Sequence, residues 1–503
     1  MKKIYLTTSI PYINAEIHIG HSLEFVQADF FARFLSLFGK EIFLATGSDE
    51  NSLKVVKAAQ KNNLSPQEFT KRQVGRIKII LKKLEIDYNH FQRTSSQSHS
   101  SAVKEIFQRI KKEVYEKEYQ GFYCPECEAY LKKDSLKEGK CPVHKIKPIF
   151  LKEKNLFFPL SKYQEKLKEI YLRKKIEIIP HSRTEEVISF LNQGLEDISI
   201  SRDKKRAENW GIEVPGRKDQ IFYVWFDALI NYLSNLGFPR ETKSYLNFWQ
   251  NKDREVIHFI GKDILKFHAI LWPAVLLAAR IPLPNKIFVH GFLLSEGEKM
   301  SKSKGNFVRP EEVIEKFKQA DVLRYFLLRE FSPFEDGDFS WQRIEERYNS
   351  DLRNGLGNLV SRIITLFLRE GRTILPKKMK LLPQYQKARN NYCSFGNQFF
   401  FQRAVDSLFS FIKEVDVYIN KEKPWQKDIS SKRKEEIFST LWLSLTKIAF
   451  LTYPIMPKVS QQILYALGFN KKIKLEELRI IDRKNSYQKK FKIRKISHLF
   501  PKI

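Results

Sequence analysis

Ile4-Tyr5-Leu6-Thr7-Thr8, followed shortly by His18-Ile19-Gly20-His21, is the stretch that decides the fold. The first string is an apolar run typical of a buried strand, and the second opens a helical pattern over residues 18–38. The order repeats, with a strand-like run at 41–45 and a helical pattern near 53–61. This alternation predicts an α/β fold with a parallel sheet, in which ligands bind beyond the carboxyl ends of the strands.

The alternation stops near residue 116 and returns near residue 220. Strand-like runs lie at 220–225, 256–260 and 286–290, and the stretch before them is rich in charges and turns. We therefore expect a split Rossmann-like parallel sheet that is interrupted by an insertion. Beyond residue 345, helical periods dominate and predict an all-α region.

Composition limits the class of protein. A chain of 503 residues has room for about three domains. Its net charge of +31 favours a polyanionic partner such as nucleic acid. We attribute part of this excess of positive charge to a generally Lys-rich composition that is unrelated to any partner. Four cysteines argue against a disulfide scaffold. The most apolar stretches, 264–283 and 438–456, carry basic side chains and are expected to be buried helices, so we predict a cytoplasmic protein without a membrane contact.

A second string, Lys299-Met300-Ser301-Lys302-Ser303, lies in a loop rich in Gly, Glu and Ser. Activation of a carboxylate by ATP needs donors and cations placed around the α-phosphate and the departing pyrophosphate. His18 and His21 share one helical face, and a helix N-terminus favours phosphate. Gly20 lets the backbone approach a nucleotide. Each string alone has an ordinary alternative, a helix start with one buried His or a solvated loop, but their combination in this order favours ATP chemistry.

Two Cys-x2-ligand pairs lie within the interrupting stretch. Cys124 and Cys127 form one pair, and Cys141 and His144 form the other. Three thiolates and one imidazole suit a tetrahedral Zn²⁺ ion. Because the protein fills all four positions, we predict one structural zinc per chain. A redox Cys-x-x-Cys is the alternative, which the second pair makes less favourable.

The two signature strings resemble the ATP-binding signatures of class I aminoacyl-tRNA synthetases, and the whole chain is similar to the methionyl-tRNA synthetase family. Further strings carry this resemblance: Ser9-Ile10-Pro11-Tyr12, Trp225-Phe226-Asp227-Ala228 with Tyr232, Gly261-Lys262-Asp263-Ile264 with His268, and Asn354-x3-Asn358-x3-Arg362 with Pro424-Trp425.

The resemblance implies four sets of residues. The catalytic set is His18, His21, Lys299 and Lys302. The ATP-binding set is His18, Gly20, His21, Gly261, Asp263, Lys299, Ser301 and Lys302. The methionine-binding set is Ser9, Ile10, Tyr12, Asp49, Trp225, Ala228, Tyr232, Ile264 and His268. The anticodon-binding set is Asn354, Asn358, Arg362 and Trp425.

These roles agree with elementary chemistry. An aromatic-walled pocket gains dispersion and sulfur–aromatic contacts with a thioether, and the Asp49 carboxylate can pair with the ammonium of an amino acid. Asn and Arg side chains can bond base edges, and Trp425 can stack on an unpaired base. The alternatives are an ordinary core aromatic for Trp425 and a solvated helix face for the Asn and Arg residues. One departure is clear: the family usually continues with His-Gly where this chain has Asn51-Ser52, so a titrating role is not expected there.

The implied reaction is the ATP-dependent activation of L-methionine to methionyl-adenylate, followed by transfer to the 3′ end of tRNA(Met), including the initiator tRNA. Mg²⁺ accompanies ATP in the family. One alternative is a synthetase-like paralogue that binds tRNA without catalysis. Another is a class I synthetase for a different apolar amino acid, although those for Leu, Ile and Val carry a large editing insertion. Cysteinyl-tRNA synthetase is compact as well, but it uses zinc to hold its substrate.

The resemblance also implies a division of the chain. We expect the first half of the catalytic domain at 1–115, a connective insertion with the zinc knuckle at 116–220, the second half of the catalytic domain at 221–345, and an α-helical anticodon-binding domain at 346–503. The last of these ends where shorter family members end, without the extra barrel that dimerises some relatives. We therefore expect a monomer.

Overall fold

The structure is a computed structural model, and it describes residues 2–124, 129–131, 133–142, 145–300, 305–371, 373–374, 380–484, 487 and 490–503. A six-stranded parallel sheet lies at its centre. The order of the strands across the sheet is His90–Arg93, Glu41–Ser48, Lys3–Thr8, Arg254–Gly261, Lys286–His290 and Glu177–Ile179. Distant parts of the chain therefore build one sheet, which confirms the α/β class and the split.

The strand Lys3–Thr8 is buried over five of its six residues and pairs on both sides. Buried parallel strands read as continuous apolar runs, which is why this strand was recognisable from sequence. On one side of Lys3–Thr8 lie the strands that follow it in the chain, and on its other side lies Arg254–Gly261. The strand order therefore reverses between Lys3–Thr8 and Arg254–Gly261. In open α/β sheets, ligands bind at the carboxyl ends of the strands that flank such a reversal.

The predicted helix at 18–38 is present as Ile19–Leu37, with His18 as its N-cap. The predicted strand at 41–45 is longer, Glu41–Ser48, because its last four residues pair with His90–Arg93. The apolar stretch 264–283 forms the buried helices Phe267–Leu271 and Trp272–Ala278, as expected.

The strand-like run at 220–225 does not join the central sheet. Arg217–Phe222 pairs antiparallel with Ser201–Asp203 and Glu213–Val214, and the chain then enters the helix Val224–Leu229. The sixth central strand is Glu177–Ile179, which comes from the range predicted as the insertion. The periodicity of a short apolar run does not show which sheet the strand joins or which strand it pairs with. The three residues of Glu177–Ile179 are too few to form a recognisable pattern.

The interrupting stretch also forms a four-stranded antiparallel sheet in the order Ala129–Leu131, Tyr115–Cys124, Ile149–Phe158 and Ile198–Ser199. Two smaller sheets complete the strands. One contains Glu298–Lys299, Leu293–Ser295 and Gly337–Phe339, and the other contains Thr373–Ile374 and Phe491–Lys492.

The last third of the chain is helical, as predicted. Its helices are Trp341–Arg347, Tyr348–Gly357, Asn358–Arg369, Gln384–Asn397, Phe401–Glu422, Ser431–Thr452, Pro457–Ala466 and Leu475–Arg483. Their apolar faces and the helix Ile19–Leu37 share one hydrophobic core. None of the helices in the described part of the chain combines the length and the apolar character that crossing a bilayer requires.

The remaining helices of the described residues lie between residues 53 and 329. They are Leu53–Lys61, Pro66–Lys83, Gln97–Ile110, Lys133–Ser135, Leu160–Tyr163, Gln164–Leu172, His181–Asn192, Asn231–Ser234, Lys243–Tyr245, Leu246–Gln250, Lys262–Ile264, Pro310–Phe317 and Ala320–Arg329.

Candidate functional site

Two histidines stand at the start of the helix Ile19–Leu37. His18 Nδ1 accepts a hydrogen bond from the backbone N–H of Gly20 at 3.0 Å, and the backbone N–H of His18 points to His21 Nδ1 at 3.4 Å. The two imidazole rings lie 4.0 Å apart, centre to centre. Because each Nδ1 accepts from a backbone N–H, each neutral ring carries its proton on Nε2. The helix start therefore offers two Nε2–H donors.

Both imidazoles are uncharged at neutral pH. Burial, helped by the neighbouring His21, lowers the pKa of His18 to about 2. Burial also lowers the pKa of His21, although the charges of Glu24 and Asp263 act in the opposite direction. The pair thus supplies neutral donors, and positive charge for a phosphate must come from elsewhere.

Gly20 is required by the cap itself. A Cβ at this position would lie 2.7 Å from His18 Cε1 and 2.8 Å from His18 Nδ1, closer than side chains approach each other. Any other residue at position 20 displaces the His18 ring.

A buried ion pair one turn further along was not found by sequence reasoning. Glu24 accepts from His290 Nε2 at 2.9 Å, and it also accepts from the backbone N–H and the hydroxyl of Ser9 at 2.6 and 2.8 Å. The other nitrogen of His290, Nδ1, lies 2.7 Å from the carbonyl oxygen of Gly291. Both ring nitrogens face acceptors, which favours the imidazolium form of His290. Its position at the carboxyl end of a central strand was the one available sequence signal.

Gly261 ends the strand Arg254–Gly261, and Asp263 and Ile264 follow it, beside the point where the strand order reverses. Asp263 is exposed, and a Cβ on Gly261 would lie 3.0 Å from Asp263 Oδ1 and 3.7 Å from His290 Cε1. The Asp263 charge also acts on His21. The structure thus brings these predicted residues to the same edge as the helix start.

The segment with the second signature string returns to this edge. Lys299 ends the hairpin Leu293–Ser295/Glu298–Lys299, and its exposed ammonium lies 3.8 Å from the centre of the Phe292 ring. Beyond the loop, Phe307 contacts the His18 ring at 5.4 Å, and Ile19 donates its backbone N–H to Val308 at 3.1 Å. Ser301 and Lys302 lie outside the described residues.

The predicted methionine-binding residues Tyr12 and Asp49 lie side by side in a short parallel bridge. The Tyr12 ring meets the Trp225 ring edge-on at 6.3 Å, and Trp225 stacks on Phe267 at 3.9 Å. Ile10 packs against Gly47, where a Cβ would come within 2.9 Å of Ile10 Cγ2. These contacts gather aromatic and aliphatic surface next to a carboxylate.

Tyr232 and His268 form a buried pair. Tyr232 Oη and His268 Nε2 lie 2.7 Å apart, and His268 Nδ1 donates to the carbonyl oxygen of Ile264 at 3.0 Å. Burial lowers the pKa of His268 to about 4, so the ring is neutral and Nε2 accepts from the tyrosine hydroxyl. Ala228 is also buried, one turn before Tyr232. His268 therefore has no donor left for a ligand.

Asn51 and Ser52, where the sequence departs from the family pattern, have structural roles. The Ser52 hydroxyl caps the helix Leu53–Lys61. Asn51 Nδ2 donates to Asp227 Oδ2 at 2.7 Å and to the carbonyl oxygen of Thr94 at 3.0 Å. The other Asp227 oxygen lies 2.6 Å from His99 Nε2. This buried network anchors the segment that carries Trp225 and Ala228.

The predicted zinc ligands are only partly within the described residues. Cys124 and Cys141 are 0% and 1% exposed. Cys127 and His144 lie outside the described residues. Among the residues that the structure does describe, no cluster of three or more His, Cys, Asp or Glu side chains is arranged to hold a metal ion.

The predicted anticodon-binding residues lie on the helical region. Asn354 and Asn358 are both exposed. Asn354 belongs to Tyr348–Gly357, which is wound as a π-helix, so the four-residue spacing between the two residues does not follow the period of an α-helix. Arg362 is held within the protein by Asp416 at 2.6 Å and Asn420 at 2.7 Å. Trp425 is 47% exposed, so the alternative of a core aromatic is wrong for it.

A parallel sheet whose strand order reverses beside the first signature string, with the described residues that flank the second string at the same edge, is typical of a class I aminoacyl-tRNA synthetase. A family model described as "tRNA synthetases class I (M)" matches residues 4–147 and 131–364. The chain is similar to the methionine–tRNA ligases of Fusobacterium nucleatum, at 36% identity over 100% of this chain and 80% of the relative, and of Rickettsia felis, at 36% identity over 94% and 93%. It also superposes on the Mycobacterium tuberculosis methionyl-tRNA synthetase in complex with methionyl-adenylate, with a TM-score of 0.90, 31% identity and full coverage of both chains. The chain belongs to the methionyl-tRNA synthetase family.

Proposed function

We propose that the chain, a methionine–tRNA ligase by family, activates L-methionine with ATP and transfers the methionyl group to the 3′ end of tRNA(Met), including the initiator tRNA. The observation that carries the catalytic part is the meeting of the His18–His21 helix start with the segments that flank Lys299, at the reversal of the strand order. Amino-acid-dependent ATP–pyrophosphate exchange is the experiment that tests it.

In the first step, a carboxylate oxygen of methionine attacks the α-phosphorus, and the bond from the α-phosphorus to the bridging oxygen breaks to release pyrophosphate. We assign the Nε2–H groups of His18 and His21 to the charge that develops on the phosphoryl oxygens, because preorganised donors stabilise such a transition state. Because both imidazoles are neutral, we assign the positive charge that binds the pyrophosphate to Lys299 and Lys302. Mg²⁺ enters with ATP and neutralises phosphate charge when bound.

The ATP ribose is assigned to Asp263 and Gly261. Asp263 is exposed at the carboxyl end of a central strand, so its oxygens can reach ribose hydroxyls. A side chain at position 261 would meet the Asp263 carboxylate, which explains glycine there. Gly20 and Ser301 complete the proposed ATP-binding set.

Methionine is assigned to the aromatic cluster formed by Tyr12, Trp225 and the Tyr232–His268 pair. Aromatic surface suits a polarisable thioether. Asp49, beside Tyr12, is assigned to the ammonium group of the substrate. The remaining members of the set are Ser9, Ile10, Ala228 and Ile264. Ser9 acts through Glu24, to which both its backbone N–H and its hydroxyl are bonded.

Recognition of tRNA is assigned to the helical region. Exposure of Trp425, Asn354 and Asn358 supports contact with unpaired anticodon bases, since an exposed indole is a stacking platform. Arg362 must exchange its bonds with Asp416 and Asn420 for bonds to a base. The net charge of +31 favours a polyanionic partner.

We also propose one structural zinc per chain, held by Cys124, Cys127, Cys141 and His144. Burial of the Cys124 and Cys141 thiols supports it, because a closed site of thiolates and imidazole is the donor set that Zn²⁺ prefers. Such a site stabilises the local fold and leaves no position for a reacting water.

The domain division at residues 115, 220 and 345, a monomeric state and a cytoplasmic location stay proposals. The few cysteines support the location. The hydrophobic core shared between the helix Ile19–Leu37 and the helical region supports a single chain as the working unit.

A further inference from the structure

Asn306 joins the two ends of the segment that contains the second signature string. The residue is 5% exposed, and its Nδ2 group donates to the carbonyl oxygen of Ser295 at 2.9 Å and to that of Lys299 at 3.3 Å. Ser295 and Lys299 belong to the two strands of one hairpin, so a single amide bonds to both strands. These bonds therefore tie the returning segment, in which Asn306 lies, to the end of the hairpin.

Each part that Asn306 joins is itself anchored. On the hairpin side, the backbone N–H of Gly297 lies 3.2 Å from both carboxylate oxygens of Asp338, and the strand Leu293–Ser295 pairs in parallel with Gly337–Phe339. On the returning side, Val308 accepts the backbone N–H of Ile19 at the helix start. Asn306 therefore lies between a hairpin that carries Lys299 and a segment that bonds to the helix start at Ile19.

The Lys299 carbonyl is the backbone group next to the proposed pyrophosphate-binding cation. Its bond to Asn306 fixes the peptide of Lys299 relative to the His18 ring. A misplacement of about 1 Å of a group that acts in a transition state costs about 10²-fold in rate. A buried amide that bonds two carbonyls is costly to remove, because both acceptors lose their partner.

We propose that Asn306 is a positioning residue for adenylate formation, which sets Lys299 against the helix start that carries His18 and His21. The inference rests on the proposed function for the identity of the reaction. Asn306 is buried and acts through the backbone of Lys299.

The first test is Asn306→Asp, which keeps the shape but replaces the donor with oxygens that face two carbonyl oxygens. We expect kcat of methionine-dependent pyrophosphate exchange to fall about tenfold to hundredfold, with KM for methionine within about threefold, because the methionine pocket lies elsewhere. The matched control is Asn397→Asp, an exposed residue at the end of the helix Gln384–Asn397, whose Nδ2 donates to the Cys393 carbonyl oxygen at 2.8 Å. The control should keep parental kcat and KM.

The second test needs no activity. Trypsin cleaves after lysine, and loss of the Asn306 bonds should speed cleavage at Lys299 about tenfold or more in Asn306→Asp, as mapped by mass spectrometry, with no change in the control. Unchanged cleavage together with unchanged kcat overturns the inference, as does a rise in KM for methionine equal to the fall in kcat. A parent chain without exchange activity overturns the proposed function instead, while the cleavage result still decides whether Asn306 holds the hairpin.

Discussion

Arg324 Nη2 lies 2.7 Å from Asp29 Oδ2, and the two side chains are 0% and 1% exposed. Asp29 belongs to the helix that begins with the two site histidines, and Arg324 to the helix Ala320–Arg329. The same guanidinium donates to the carbonyl oxygens of Leu84, Pro454 and Ile455 at 2.9–3.0 Å. One buried arginine thus ties the helix Ile19–Leu37 to the C-terminal helical region.

Replacement of Arg324 by Leu should lower the free energy of unfolding by about 3–5 kcal/mol, because it leaves the buried Asp29 carboxylate and three carbonyls short of donors. Asp29 keeps two partners, Arg33 at 2.8 Å and the backbone N–H of Asp87 at 2.8 Å. Urea unfolding measures the change. The matched control, Arg343→Leu, removes an ion pair to Glu330 at 2.6 Å whose arginine is 47% exposed, and should cost about 1 kcal/mol or less. Equal losses for the two variants contradict the account.

Lys302→Ala should lower the rate of adenylate formation by about two to four powers of ten, because a cation for the leaving pyrophosphate is lost. Methionine affinity should be nearly unchanged. Pyrophosphate exchange at varied methionine concentration measures both quantities, with Lys502→Ala at the exposed end of the chain as the control. An exchange rate within about threefold of the parent rules out the assignment of Lys302.

Trp425→Ala should remove a stacking platform worth about 1–3 kcal/mol and weaken aminoacylation through KM for tRNA. Pyrophosphate exchange should stay close to normal, since this step needs no tRNA. Leu172→Ala, which removes a 69%-exposed apolar side chain from another region, should change neither activity. Equal defects in exchange and aminoacylation are incompatible with a role in tRNA binding.

Purified protein should contain one zinc per chain by elemental analysis, and Cys127→Ser should lose the metal and loosen the surrounding segment. Proteolysis of this segment should become faster in the variant. Cys393→Ser, in the helical region, is the control and should keep the metal. Protein prepared without chelator that contains no zinc refutes the site.

The Glu24–His290 pair predicts a pH dependence of stability. Burial alone lowers the pKa of His290, but its bond to Glu24 and the charges of Glu24 and Asp263 outweigh this and raise it above the ordinary 6.5. A pKa raised in the folded state contributes stability that is fully present below the unfolded pKa and is lost as the pH rises through the folded value. His290→Asn should therefore destabilise the protein more at about pH 6 than at about pH 9.

Unfolding free energies at these two pH values check this dependence, with His181→Asn as the control. His181 is 73% exposed, so its substitution should have a small effect at both values. A cost of His290→Asn that grows with pH contradicts the assigned charge.

Sequence patterns located the parts of the site that depend on local order. The helix at 18–38 was predictable because its cap and apolar period are local, and the strands at 4–8 and 286–290 because buried parallel strands are continuously apolar. The bond from Glu24 to His290 joins residues 266 positions apart, and that from Asn51 to Asp227 joins residues 176 apart. Such contacts depend on tertiary packing, which no local period encodes.

Activation of methionine is the reaction proposed for this site. ATP–pyrophosphate exchange with Met, Leu, Ile, Val and Cys, each assayed alone with the same preparation, measures its amino-acid specificity. We expect rapid exchange with methionine and at least about a hundredfold lower kcat/KM for each of the others, as a site built for a thioether requires. Exchange that is as fast with leucine, isoleucine, valine or cysteine, or absent with all five amino acids, would contradict it.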